Sequence, residues 1–138
     1  MSDSIVKRWS TFQPHLLSLL RVTAAFAYLL HGTAKFFAWP APMTPDGSHV
    51  PFLSQMGAGG FIETIGGTLL LLGLFTRPVA FLVAGELAVV YWQFHFPNGG
   101  ILPMMNHGEA PYLLCFIFLF ISAAGPGPWS LDAKLRKG

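Results

Sequence analysis

Four apolar segments divide this chain of 138 residues, and no other feature limits its fold as strongly. They run over about 14–37, 59–75, 78–96 and 108–124. The fourth reaches that length only if it starts at Gly108 in the preceding loop rather than at Pro111. Crossing a bilayer takes about 20 predominantly apolar residues as helix. One such segment could be the buried helix of a soluble protein. Four in succession, almost without a polar face, leave no side for water. Only 10% of the residues are charged, against about 25% in soluble domains. The sequence therefore predicts an all-α membrane protein, a four-helix transmembrane bundle forming a single domain over residues 1–138. The prolines agree. Pro14, Pro78 and Pro111 fall at helix starts, where a missing N–H is harmless, and the other eight lie in the joints.

The cations set an orientation. Lys7 and Arg8 precede the first segment, Arg77 sits in the turn between the second and third, and Lys134, Arg136 and Lys137 follow the fourth. The loops 38–58 and 97–110 contain no Lys or Arg. The positive-inside rule then places both termini and the Arg77 turn in the cytoplasm. A cleaved signal peptide is the rival reading of the first segment, but that segment is too long and carries Arg21 and Lys35. Trp39, Trp92, Phe94 and Phe96 near the outer boundary read as an aromatic belt.

Several functions are disfavoured. A net charge of +2 without a basic stripe does not suit nucleic acid. The lone Cys115 lies in an apolar run and reads as a small core side chain. His31, His95 and His107 lack a local ligand pair, so no metal site is expected. Haem would need two histidines facing each other, and His31 with His107 is the one conceivable pair. No phosphate loop and no Ser-His-Asp set stand out.

Ionisable groups within the spans are the functional clue. A charge in hydrocarbon costs roughly 2.5–3.5 kcal/mol on the gentler insertion scale, so such groups must turn inward and pair, or line a wet cavity. At about 1.5 Å per residue, two layers emerge. Arg21 and Glu86 share a deep, cytoplasm-sided level and read as a structural ion pair. His31, Lys35, Glu63 and Gln93 share an outer level, with His95, Asn106, His107 and Glu109 near it. Arg21, Tyr28 and Lys35 recur every seven residues, with His31 within a turn of the last two, and form one stripe. Glu63, Gly66, Gly67 and Leu70 form another, in which glycines admit a close neighbour. The bland readings are snorkelling for Lys35 and a structural hydrogen bond for His31 with Glu63. A carboxylate, an imidazole and an amine at one depth exceed what packing requires, so the outer layer is the candidate polar site.

In order along the chain, these residues resemble the DoxX family of small four-helix membrane proteins of bacteria and archaea. The matching motifs are Arg21 followed by His31, Gly32 and Lys35; Glu63, Gly66 and Gly67; Gly73, Leu74, Thr76 and Arg77; Glu86 and His95; Asn106 to Glu109; and the GPGPWSLD ending, Gly125 to Asp132. His107 stands where the family more often has Gly. The resemblance implies a cell (inner) membrane protein tied to quinone-linked redox enzymes, since some members accompany thiosulfate:quinone oxidoreductase or quinol oxidase complexes. Related families use cysteine pairs for thiol–quinone redox, which this chain lacks. Independently of the family, Gly125 and Pro126 are expected to stop the fourth helix. Ser130 is expected to cap a short amphipathic helix whose cations attract anionic lipid.

The leading expectation is a redox-associated membrane subunit holding a quinone or similar amphipathic molecule. His31 and Lys35 would donate to a quinone oxygen, and Glu63 or Glu109 would carry a proton. One alternative is a small-molecule or proton-coupled carrier. Another is a non-enzymatic scaffold or assembly partner. The partners expected are the bilayer, a quinone, a soluble or membrane oxidoreductase and, because four short spans bury little surface, a second copy of the chain.

Overall fold

The structure, a computed structural model, describes residues 3–136. Lys137, counted above among the cytoplasmic cations, lies outside the described residues. All regular structure among the described residues is helical. The helices are α1 (Asp3–Ser10), α2 (Gln13–Phe37), α3 (Gln55–Phe61), α4 (Gly67–Leu72), α5 (Thr76–Val90), α6 (Glu109–Ala124) and α7 (Leu131–Leu135). A π-helical turn, Ile62–Gly66, joins α3 to α4, and another, Tyr91–His95, extends α5.

Two helical stretches, Gln13–Phe37 and Thr76–Asn98, are long and apolar enough to cross a membrane; α6 is apolar but shorter. Both long stretches leave large apolar side chains facing outward, such as Leu16, Phe26, Phe81 and Leu82, and α6 does the same with Leu113 and Phe116. The shared core is built from small side chains: Ala24 and Ala25 of α2, Ala80, Val83 and Ala84 of α5, with Leu70, Phe118 and Ile121. Small residues let helix backbones approach where lipid supplies no hydrophobic drive between helices. Gly32 and Gly67 take this furthest. A Cβ on Gly67 would lie 3.0 Å from Leu29 Cα, and one on Gly32 would lie 2.7 Å from Thr64 N. Tyr28 fills the centre, edge-on to Phe118 at 5.6 Å.

The α3–α4 run stops at Leu72, three residues short of the expected Phe75. Gly73 enters the left-handed region there at φ 68°, which glycine adopts without steric cost. The 38–54 loop is tied back by Val50 N–H donating to Lys35 O at 2.8 Å. Ser54 then caps α3 by accepting from Gly57 N–H at 3.0 Å.

The GPGPWSLD ending forms a latch under the helices. Arg21, with no exposed surface, donates to the carbonyls of Leu70, Leu71, Pro126 and Trp129. It thereby serves both the open C-terminus of α4 and the turn after α6. Ser18 Oγ accepts from Trp129 N–H at 3.1 Å. Ser130 caps α7 by accepting from Ala133 N–H at 3.1 Å. Asp132 caps a different helix: its carboxylate accepts from Phe75 and Thr76 N–H, both at 2.9 Å, at the start of α5.

This corrects the expected Arg21–Glu86 ion pair. Arg21 lies level with Leu70 and Gly73, close to the start of α5, whereas Glu86 is ten residues along α5 from Thr76, about 15 Å higher. Counting each helix from its own end assumed that all start at one level. α2 begins about two turns below α5.

Candidate functional site

At the end of the molecule away from the latch, α2, the α3 run and α5 part around a largely apolar cavity of about 700 Å³. The sequence separates its walls. Gly59 and Gly85, the latter with nothing within 4 Å of a notional Cβ, offer no side chain to close it. Ile62, Leu82 and Val89 give it greasy sides.

Its polar groups gather at the back. Lys35 Nζ donates to Glu63 Oε1 at 2.8 Å. The two residues are only 7% and 5% exposed, so this pair is shielded from solvent on both sides. A buried ion pair of this kind is costly to break, because either partner alone is left as an uncompensated charge. Glu63 stands on the π-turn 62–66. Such turns loosen the backbone ladder locally and recur at functional sites. Here the turn sits against Gly32, whose missing side chain lets Thr64 and Glu63 approach α2. Glu63 Oε2 is buried with no hydrogen-bond partner among the described residues. Tyr28 Oη donates to Glu86 Oε2 at 3.1 Å, which brings a second carboxylate into the cavity. One ammonium thus faces two carboxylates, with exposed His31 at the rim.

The expected outer layer is only partly assembled. His31, Lys35 and Glu63 line the cavity, as does His95. Gln93 is outside the lining and reaches it through Gln55, whose amide donates to Gln93 Oε1. Asn106 is buried for another purpose. It donates to Gly100 O at 2.7 Å and Tyr91 Oη at 3.1 Å, accepts from Gly108 N–H at 2.8 Å, and so organises its own loop. His107, at φ 56°, and Glu109 are exposed and do not line the cavity. The expected proton role of Glu109 therefore has no geometric support: α6 gives the cavity Pro111 and Leu114, while Glu109 stays exposed outside the lining. Glu86, Tyr28, Gln55 and Gly59 were missed as site residues. The signal for Glu86 and Tyr28 was present: an ionisable residue within a span and a tyrosine on the Arg21–Lys35 stripe. Gln55 and Gly59 offered none.

Among the described residues no three His, Cys, Asp or Glu side chains come together as a metal site. Cys115 does not line the cavity; its thiol donates to Ala84 O at 3.3 Å.

The DoxX sequence pattern matches residues 16–96, which include Arg21, Lys35, Glu63 and Glu86. The chain belongs to the DoxX family. It is 39% identical to an uncharacterised protein of Haemophilus influenzae over 91% of this chain and 95% of that one. It is 25% identical to the inner membrane protein YphA of Escherichia coli over 88% and 91%. It is 30% identical to a Bacillus subtilis protein bearing the provisional name oxidoreductase CatD, over 87% of each. No solved structure matches it. This DoxX protein is thus a membrane protein by family and by the name of its relative YphA.

Proposed function

We propose that this DoxX protein is a multi-pass subunit of the bacterial or archaeal inner membrane that holds an amphipathic small molecule of the quinone type for a redox partner. In this reading four helical runs span the bilayer, both termini and the latch are cytoplasmic, and the cavity opens in the outer half. The observation that carries it is the roughly 700 Å³ cavity with apolar sides and the Lys35–Glu63 and Tyr28–Glu86 pairs at its back. That size is typical of small-molecule sites, which are mostly apolar with a few convergent polar groups. An apolar tail would lie along Ile62, Leu82 and Val89, and the head would reach Lys35. Lys35 and His31 supply donors to a head oxygen, and the carboxylates supply a place for a proton. The oxidoreductase name of CatD adds support by relationship.

The test is purification of the whole chain in mild detergent, extraction of its lipids and thermal unfolding with and without added quinone. Copurifying quinone, or a rise in unfolding temperature on adding it, is expected. Absence of both ends the proposal. The unpartnered Glu63 Oε2 also suits a proton-coupled carrier. Uptake of substrate or protons by liposomes without any electron donor would replace the redox reading with that one.

A further inference from the structure

The hydrogen-bond inventory of the cavity distinguishes between ligand heads. Glu86 is half-buried and uses only Oε2, which accepts from Tyr28. Its Oε1 receives no hydrogen bond from a described residue and, unlike Glu63 Oε2, is open to the cavity. Lys35 Nζ uses one of its three donors on Glu63. A Cβ placed on Gly59 would lie 3.5 Å from Glu86 Oε1 and 3.5 Å from Lys35 Nζ. The absent side chain therefore leaves a seat where an acceptor and a donor converge, floored by a helix backbone.

A hydroxyl offers one O–H donor and two acceptor lone pairs. In that seat it donates to Glu86 Oε1 and accepts from Lys35 Nζ at once. A carbonyl oxygen can only accept. Beside an ionised Glu86 it would use Lys35 but turn its lone pairs toward the carboxylate and leave Oε1 without a partner, which a low-dielectric site penalises; a protonated Glu86 would donate to it instead, so the discrimination belongs to the ionised form. We propose that the head of the ligand is a hydroxyl seated over Gly59 between Glu86 and Lys35, so that the site takes the hydroquinone state in preference to the quinone. This rests on the quinone-type reading above and adds the redox form and the seat. It makes Glu86 a binding residue.

The experiment is equilibrium dialysis of the detergent-purified full chain, under argon and at alkaline pH, where Glu86 is ionised, against decylhydroquinone and against decylbenzoquinone. The hydroquinone is expected to bind about tenfold more tightly, the size of one lost hydrogen bond to a charged group. Glu86→Gln keeps an oxygen for Tyr28 and presents an amide N–H to the seat, so the preference should shrink or invert. Gly59→Leu adds helix propensity and places its side chain in the seat, so both probes should bind at least tenfold more weakly while the unfolding temperature of the free protein is held. Equal or tighter binding of the quinone by the wild-type chain overturns the inference and leaves the quinone-type reading standing. Binding that Gly59→Leu leaves unchanged also overturns it. Failure of both probes to bind the wild-type chain removes the quinone-type reading and the inference together.

Discussion

Arg21 and Asp132 show how single side chains in this protein serve backbone rather than charge partners. Arg21 presents a planar fork of five donors and satisfies four carbonyls from two segments. Asp132 supplies α5 with the N-terminal acceptor that its own N-cap, Phe75, does not provide. Some burial raises the Asp132 carboxyl, but the N–H groups of Thr76 and Phe75 and nearby Arg136 outweigh it, so the group is held below its usual value. Its folded value being the lower one, its stabilisation is complete above the unfolded value of about 4 and disappears as pH falls through the folded value. Asp132→Ala should therefore cost about 1–2 kcal/mol at pH 7, the range for losing a helix cap. That cost should shrink at acid pH, as the carboxyl takes up its proton in the folded state. Thermal unfolding in detergent at neutral and at acid pH reads this directly.

At the level of helices, the π-turn 62–66 and its seat against α2 decide whether the Lys35–Glu63 pair can form. An unbroken α-helix through Glu63 would turn the carboxylate by a different angle, since a π-turn inserts one residue into the ladder. Gly32 makes room for it. A Cβ there would meet Thr64 N at 2.7 Å and Glu63 C at 3.0 Å, both backbone atoms that cannot rotate away. Gly32→Ala is expected to destabilise the protein by about 1–3 kcal/mol, as overpacking does, and to weaken protection by any cavity ligand. Gly85→Ala, where a Cβ meets nothing within 4 Å, should leave the unfolding temperature level or raised by the gain in helix propensity. Parallel melts of the two variants separate crowding from the mere loss of a glycine.

For the molecule as a whole, the proposed topology puts the latch and the cavity on opposite sides of the membrane. The cations agree: Lys7, Arg8, Arg77, Lys134 and Arg136 all lie toward the latch end in sequence terms, and the loops bordering the cavity end have none. In a Cys115→Ala background, Thr44→Cys should react with an impermeant maleimide on intact cells. Ser10→Cys should react only after the membrane is opened. The reverse labelling would turn the cavity toward the cytoplasm and require a different redox partner. The latch also explains why a soluble-looking tail matters to a membrane chain: through Arg21, Ser18 and Asp132 it joins α2, the end of α4, the start of α5 and the turn after α6.

How much of this was legible follows from what each signal depends on. The long helices were readable because apolar length and proline placement are local properties. So was the Ser130 cap, which needs only a hydroxyl and the next turn. Lys35 and Glu63 were assigned to one outer layer because a charge inside a greasy run must find its opposite, and in the structure the two side chains meet. The partner of Arg21 was not readable, because the relative height of two helices depends on the turns and the latch that join them. Nor was the fate of Asn106 and Glu109, set by a loop whose hydrogen bonds close on themselves. Composition and order alone thus decided that this chain is helical, apolar and internally charged. Only the folded arrangement decided which charges meet, because side-chain pairing needs agreement to within a few tenths of an ångström, and one extra residue in a helical turn is enough to change it.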